Sequence, residues 1–277
     1  MASHPAEESF PARVGALKLE DEVPNFVADS TQGSIRWHDF IARTWAVLFT
    51  HPANYTPVCT TELAEVAAIH DEFLQRGVKV AALSCDDSPS HEGWKEDIEA
   101  TDYIRNKNIT YPIISDPDRT IAAAYGMVDP GKKKMPGIPV TCRAVFIIGP
   151  DCKLKSILWY PLTTGRNFAE ILRVIDSLQL TSQYSVATPA NWKQGSKCLV
   201  QPWLTDEQAK DSLGDFSVEQ VPSGKRYLRT TNDPSGRRGP IKAAREGGLK
   251  AILGIGGALL VGFLGGRMSN RPEEDDD

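Results

Sequence analysis

The chain has 277 residues, 41% of them hydrophobic and 24% charged, a composition typical of a globular protein with a sizeable core. Its formal net charge of −5 argues against a nucleic-acid-binding surface. The five cysteines form no Cys-x-x-Cys pair and no metal-type Cys/His spacing. We therefore expect free thiols, a reducing compartment, no bound metal and no cofactor.

The first predicted elements lead to a cysteine at the start of a helix. Residues 25–30 and 35–40 predict a hairpin, and the apolar run 45–50 predicts a buried central strand. Apolar residues at helical spacing from Cys59 to Leu74 predict a helix with Thr56 as its N-cap and Pro57 as its first residue. Cys59 then faces unpaired backbone N–H groups, which favour a thiolate. The alternative is that Cys59 is a small buried residue with no chemical role.

Strands and helices continue to alternate after this helix, which predicts an α/β fold with a helix-covered sheet. The strand 78–84 is followed by a helix that begins at Ser88-Pro89. The remaining predicted elements are a strand at 111–114, a helix at 116–126, a hairpin of 144–148 with 154–160, and a helix at 167–179. Residues 181–203 are loop-rich, and Thr205 caps a further short helix.

Several segments in order carry a family resemblance. The segment Thr56-Pro57-Val58-Cys59-Thr60, preceded by His51-Pro52, resembles the active-site loop of peroxiredoxins. Residues 139–146 resemble the strand of that family whose arginine, here Arg143, faces the reactive cysteine. Residues 160–168 and 221–229 are similar to segments of the one-Cys class. The resemblance extends from about residue 15 to about residue 230.

The resemblance implies a thioredoxin-like fold, a central mixed sheet flanked by helices, with additions at the C-terminus. We expect the peroxidase domain at 15–180 and a small C-terminal domain that contacts a dimer partner at 181–230. A flexible basic linker at 231–248, a hydrophobic Gly-rich helix at 249–267 and an acidic end at 268–277 would follow.

The activity that the resemblance implies is thiol-dependent reduction of hydrogen peroxide and organic hydroperoxides, as antioxidant defence. Cys59 would be the nucleophile, and Thr56 would offer a hydroxyl to the peroxide or the sulfur. Arg143 would stabilise the thiolate and the developing charge, while Pro52 would shield the sulfur from water.

Three further residues are candidates for supporting roles. His51 would handle protons if it titrates near neutral pH, with a polar loop residue as the alternative. Glu62 lies one helical turn from the thiol and would pair with a second arginine, for which Arg166 is the candidate. His38, in the strand predicted at 35–40, is expected to be structural.

The sulfenic acid formed on Cys59 requires a thiol to resolve it. Thr188 stands where two-Cys relatives have their resolving cysteine, so we expect an external reductant of the glutathione or thioredoxin type. The other cysteines are Cys85, Cys142, Cys152 and Cys198, and all are expected to be structural, with a resolving partner of Cys59 among them as the alternative. The expected assembly is a homodimer, with a larger ring as the alternative. A membrane-tethered redox sensor or a chaperone-like scaffold with slow turnover is the competing function.

Some one-Cys members also have a phospholipase activity built on a Gly-x-Ser-x-Gly segment before the central strand. The matching residues 42–46 are Ala-Arg-Thr-Trp-Ala, without the serine or either glycine. We therefore do not expect this second activity.

The segment Leu249–Gly266 is apolar except for Lys250, and small residues recur in it every four positions. As a helix it would span roughly 27 Å, slightly short of a bilayer core. A C-terminal tail anchor is the leading interpretation; a surface-lying helix and a helix docked on the globular body are the alternatives. Residues 1–14 lack the apolar stretch of a secretory signal. The expected location is cytoplasmic, with the tail anchored to an intracellular membrane.

Overall fold

The central feature of the fold is a mixed β-sheet covered by helices on both faces. The computed structural model describes residues 17–104, 108–134 and 138–236, with 104, 128–134 and 138–140 described in backbone only. The strands are β1 (Val27–Ala28), β2 (Ile35–Arg36), β3 (Trp45–Thr50), β4 (Val78–Ser84), β5 (Ile113–Ser115), β6 (Val128–Lys134), β7 (Ile138–Thr141), β8 (Arg143–Ile148), β9 (Leu154–Tyr160), β10 (Val186–Ala187), β11 (Cys198–Val200), β12 (Phe216–Val218) and β13 (Arg229–Thr231). The helices are α1 (Trp37–Ile41), α2 (Pro57–Ala68), α3 (His70–Gln75), α4 (Ser88–Glu99), a short 3₁₀ turn (Asp102–Ile104), α5 (Thr120–Ala124), α6 (Phe168–Gln183) and α7 (Asp206–Leu213).

The central sheet has the strand order β5-β4-β3-β8-β9. Strand β3 pairs parallel to β4 and antiparallel to β8, with Val47 opposite both Val80 and Ile147. The hairpin of β8 and β9 is the one predicted from the sequence. This arrangement is the mixed sheet that the thioredoxin-like resemblance implies.

Side chains of the sheet alternate between two buried layers, as the two-residue period of a strand requires. Val47 and Phe49 face a core shared with α2, α4 and α6. Ala46 and Leu48 face the opposite core, shared with α1 and α5. Both layers exclude solvent, so β3 is buried on both sides and reads in sequence as a continuous apolar run.

The prediction of a strand over residues 35–40 is wrong beyond Arg36. Strands β1 and β2 do pair as a short hairpin, but the chain turns into helix α1 at Trp37. Trp37 and Ile41, four residues apart, are both fully buried, a spacing that matches a helix and not a strand. The Asn25 side chain accepts a hydrogen bond from the backbone N–H of His38 and helps fix this turn.

Side chains that precede α5 and α4 cap these helices, and α5 begins later than the predicted residue 116. Helix α5 begins at Thr120, because Asp116 accepts the free N–H groups of Ile121 and Ala122 across a turn. Helix α4 is capped by Asp87, which precedes the Ser88-Pro89 pair, since its carboxylate accepts the N–H of Ser90.

Two helices also have lengths that differ from the prediction. The helix predicted from Cys59 to Leu74 is interrupted at Ile69 and forms α2 and α3. Helix α6 continues beyond the predicted residue 179, to Gln183.

Residues after α6 form a second, antiparallel sheet that the prediction of a loop-rich segment missed. Its strand order is β10-β11-β13-β12, and it packs around Val186, Trp192 and Cys198. Helix α7 begins with the predicted Thr205 cap, which forms a reciprocal capping box with Gln208.

No helix within residues 17–104, 108–134 and 138–236 is long and apolar enough to cross a membrane. The predicted tail helix at 249–267, the acidic end at 268–277 and most of the predicted linker lie outside the described residues.

Candidate active site

Cys59 occupies the third position of α2, as predicted, and its side chain is fully buried. Thr56 has extended backbone angles and Pro57 opens the helix, where a missing N–H removes no hydrogen bond. The Thr56 hydroxyl, however, does not cap the helix. It donates to the carbonyl of Ala53 at 2.9 Å, so this side chain stabilises the loop that precedes the helix.

Arg143 lies beside Cys59 although 84 residues separate them in sequence. The antiparallel pairing of β8 with β3 brings the start of β8 next to the end of β3, from which the chain enters the Cys59 loop. Its Nη1 donates to Cys59 Sγ at 3.2 Å and to Glu62 Oε2 at 2.8 Å, and its Nε donates to the carbonyl of Leu162 at 2.9 Å. A buried guanidinium at this distance stabilises negative charge on the sulfur.

Glu62 pairs with Arg166, as predicted, and with Arg143 as well. Glu62 Oε2 accepts from Arg166 Nη2 at 2.7 Å, and Oε1 accepts from Arg166 Nε at 2.9 Å and from its backbone N–H at 2.8 Å. All three side chains are at most 3% exposed. One buried carboxylate therefore orients both arginines, and the group carries a net positive charge toward Cys59.

Arg166 also binds the sheet. Its Nη1 donates to the carbonyls of Thr50 and Ala144, both at 2.9 Å, and its guanidinium lies 5.3 Å from the centre of the Phe49 ring. These contacts fix the Glu62 carboxylate to the ends of β3 and β8 as well as to α2. The ion-pair group is thus part of the rigid scaffold of the site.

His51 is fully buried in the loop before α2, and burial lowers its pKa to about 3. The proton-handling role of His51 depended on a pKa near neutral pH, and burial argues against it because the surrounding protein does not solvate the imidazolium. Pro52 is half-buried, and its shielding role stays a prediction. His38 packs at α1, away from this site, with Nε2 at 2.8 Å from the Val23 carbonyl.

A buried polar cluster around His51 was missed by the sequence prediction. Asn54 contacts His51 on one side and Ser90 and His91 of α4 on the other. A signal was available: His91 precedes Trp94 by three residues and Ile98 by seven, and thus lies on the buried face of α4 that these residues mark.

The five cysteines, all within the residues that the structure describes, form no disulfide bonds. Cys198 is buried in the small sheet, and burial raises the pKa of its thiol to about 11. Burial also raises the pKa of Cys152. Thr188 lies with its hydroxyl 2.6 Å from that of Ser177 on α6.

Comparison with known proteins identifies the group to which this arrangement belongs. Residues 19–157 match the AhpC/TSA family, and residues 177–215 match the C-terminal domain of 1-Cys peroxiredoxin. Peroxiredoxin-6 of Gallus gallus is 52% identical over 221 residues, which cover 79% of this chain and 98% of the relative.

Two solved structures are similar along the same part of the chain. A cysteine-to-serine mutant of peroxiredoxin 6 from Arenicola marina has a TM-score of 0.76 at 51% identity, and covers 79% of this chain and 99% of its own. A yeast mitochondrial 1-Cys peroxiredoxin has a TM-score of 0.71 at 42% identity, covering 78% and 99%. With the cysteine, arginine and helix geometry above, these matches show that the chain belongs to the peroxiredoxin family, in its 1-Cys class, and is a thiol peroxidase.

Proposed function

We propose that Cys59 is the peroxidatic nucleophile and that Arg143 holds it as a thiolate. The observation that carries this assignment is the 3.2 Å contact between Arg143 Nη1 and Cys59 Sγ in a buried site at a helix N-terminus. The permanent charge of the guanidinium and the unpaired N–H groups of the first turn both favour the anion. The thiolate, and not the thiol, attacks a peroxide.

The first half-reaction breaks the O–O bond of a hydroperoxide. The Cys59 thiolate attacks the terminal oxygen and donates an electron pair, and the second oxygen leaves as hydroxide or alkoxide, which takes up a proton. Cys59 becomes a sulfenic acid and the peroxide becomes water or an alcohol. Arg143 compensates the negative charge that moves from sulfur to the leaving oxygen. Thr56 contributes by fixing the loop through Ala53, and Pro52 by limiting access of water.

The second half-reaction uses an external thiol. A reductant thiolate attacks the Cys59 sulfenic acid, releases water and forms a mixed disulfide, and a second thiol then regenerates Cys59. The solved yeast relative is described as a 1-Cys peroxiredoxin whose thiol is resolved through glutathione and thioredoxin systems. We extend this reductant class to the present chain, because threonine occupies position 188 and Cys198 is a poor nucleophile.

The predicted assembly and location belong to the same proposal. We propose a homodimer, with 181–230 as a small domain at the contact, and a cytosolic catalytic domain. The apolar stretch Leu249–Gly266 supports a tail anchor as the means of membrane attachment. The full chain should then resist alkaline extraction from membranes, whereas a chain that ends at Asn232 should not. Release of both chains from membranes by alkaline extraction would reject the tail anchor.

The decisive experiment is intact mass and peptide mapping after one equivalent of hydrogen peroxide in the presence of a sulfenic-acid trap. We expect the trap on Cys59 and no disulfide. Cys59→Ser should abolish peroxide consumption with glutathione or thioredoxin, whereas the matched variant Cys142→Ser should retain it. A disulfide between Cys59 and another cysteine would reject the one-Cys mechanism. Fast oxidation of Cys59 followed by very slow turnover with both reductants would favour the redox-sensor function instead.

A further inference from the structure

The loop between β3 and α2 is held by a buried amide that lies between two imidazoles. Asn54 Oδ1 is 3.0 Å from His51 Nε2, and Asn54 Nδ2 is 2.9 Å from His91 Nδ1 and 3.0 Å from Ser90 Oγ. Asn54 is 6% exposed, and both imidazoles are fully buried. The backbone N–H of Asn54 donates to Asp86 at 2.8 Å, which fixes this residue at a second point.

The amide imposes a protonation pattern on both rings. In the orientation that the structure has, its oxygen accepts a hydrogen bond from His51 Nε2–H, and its nitrogen donates hydrogen bonds to His91 Nδ1 and Ser90 Oγ. A contact of 3.2 Å from His91 Nδ1 to Asn54 Oδ1 is longer than the one to Nδ2, so the donor from Asn54 is the better partner. His51 is therefore held as the Nε2–H tautomer, and its Nδ1 is a buried nitrogen with no hydrogen-bond partner among the residues that the structure describes.

The same cluster reaches the first turn of α2 by a second route. Trp94, one turn after His91 on α4, packs against the His51 ring at 5.1 Å between centroids. Its indole N–H donates to Thr60 Oγ1 at 3.2 Å, and Thr60 donates in turn to the carbonyl of Thr56. Helix α4 thus supports both the loop through Asn54 and the helix turn that contains Cys59.

From this geometry we propose that Asn54 is a positioning residue for the peroxidase reaction. Its amide fixes the tautomers of His51 and His91 and, through them, the position of the turn that presents Cys59. The proposal rests on the assignment of Cys59 as the nucleophile. An amide is the side chain that can accept from one ring and donate to the other while it stays uncharged.

A charged side chain at position 54 would change the protonation of both imidazoles, because few other charged groups face them. His51 is influenced by His91, Asp86 and Arg166, and His91 by Asp86, Asp87 and the Ile114 backbone. Burial lowers the pKa of both histidines. A carboxylate in place of the amide would contact both rings and favour their imidazolium forms.

The test uses Asn54→Ala and the near-isosteric Asn54→Asp, with Asn25→Ala as the matched control. Asn25 also binds a histidine-containing segment, through the His38 backbone N–H, but in the opposite layer of the sheet. The readouts are the second-order rate constant for Cys59 oxidation by hydrogen peroxide over a range of pH around neutrality, and the nitrogen NMR signals of the imidazoles. Urea unfolding of each variant separates stability from kinetics.

We expect Asn54→Ala to lower the rate constant about 10- to 100-fold with the protein still folded, as misplacement of a reacting group by about 1 Å does. Asn25→Ala should leave it within about twofold of wild type, since its contacts lie away from Cys59. In Asn54→Asp, the imidazole signals should titrate between about pH 5 and about pH 8, and the rate constant should follow the same titration.

Unchanged tautomers and a wild-type rate profile in Asn54→Asp would overturn the proposal even if Asn54→Ala failed to fold. Cys59→Ser is measured in parallel. If that variant still consumes peroxide, the assignment of Cys59 fails. If Cys59→Ser is inactive and the Asn54 variants behave as wild type, only the positioning role fails.

Discussion

Replacing Glu62 by glutamine should damage both the stability and the chemistry of the site. The Glu62 oxygens each accept two arginine donors, Oε2 from Arg143 and Arg166 and Oε1 from the backbone and side chain of Arg166. In the variant, an amide nitrogen replaces one of these two oxygens. The two arginine N–H groups that donated to that oxygen then face another donor. Two charge-assisted hydrogen bonds at about 1.5–3 kcal/mol each give an expected loss of about 3–6 kcal/mol in the free energy of unfolding.

The kinetic effect should accompany the loss of stability. Without the carboxylate, Arg143 is no longer held 3.2 Å from Cys59 Sγ, and we expect the rate constant for sulfur oxidation to fall by about 10-fold or more. Urea unfolding measures the first effect, and stopped-flow tryptophan fluorescence with hydrogen peroxide measures the second.

Glu170→Gln is the matched control, since Glu170 pairs with Arg173 on the surface of α6, where the two side chains are 40% and 31% exposed. That change should cost less than about 1 kcal/mol and leave oxidation unaffected. If Glu62→Gln destabilised the protein no more than Glu170→Gln, the view of Glu62 as the anchor of both buried arginines would be wrong.

Three other changes test separate parts of the structure. Arg143→Lys should slow oxidation of Cys59 at least about 10-fold, because an ammonium cannot reproduce the planar set of donors; a stopped-flow rate within about twofold of wild type would contradict this. Acid should destabilise the fold through His51: below about pH 6.5 the unfolded chain binds a proton that the folded chain, with a His51 pKa of about 3, does not. The free energy of unfolding should therefore fall by about 2 kcal/mol between about pH 7 and about pH 5. If urea unfolding showed the same pH dependence of this free energy in wild type and in His51→Gln, His51 would be excluded as the cause. Cys198, with its pKa of about 11, should react with iodoacetamide at about pH 8 about 10²-fold more slowly than an unperturbed thiol, as peptide mass spectrometry can show.

The parts of the fold that were predicted correctly depend on local patterns. The run 45–50 is buried on both faces and bounded by loops, so its composition alone identifies it as a central strand. The start of α2 has a residue of the N-cap type, a proline and an apolar face in sequence, which placed Cys59 in the first turn, although the Thr56 hydroxyl does not form the cap hydrogen bond. The residues 35–40 were harder, because two buried residues at a spacing of four can be recognised as a helix only when their burial is known.

The parts that were not predicted depend on contacts between distant segments. The proximity of Arg143 to Cys59 was expected only through the family resemblance, because it follows from the pairing of β3 with β8 and periodicity carries no information on which strands pair. The strands of the small sheet have two or three residues, too few for an alternation to be visible. The link from Asn54 to His91 crosses 37 residues and joins a loop to a helix.

Because Cys59 is completely buried, the oxidation and reduction steps require different degrees of access to its sulfur. A reductant must bring its own sulfur to about 2 Å from the Cys59 sulfur to form a disulfide, and the Cys59 side chain has no exposed surface in this conformation. The first turn of α2 must therefore loosen before a thiol can enter, while the oxidation step is favoured by the closed turn with Arg143 in place. We therefore expect the site to open wider for a reductant thiol than for a small peroxide, with the stability of one helical turn setting the balance between the closed and open conformations.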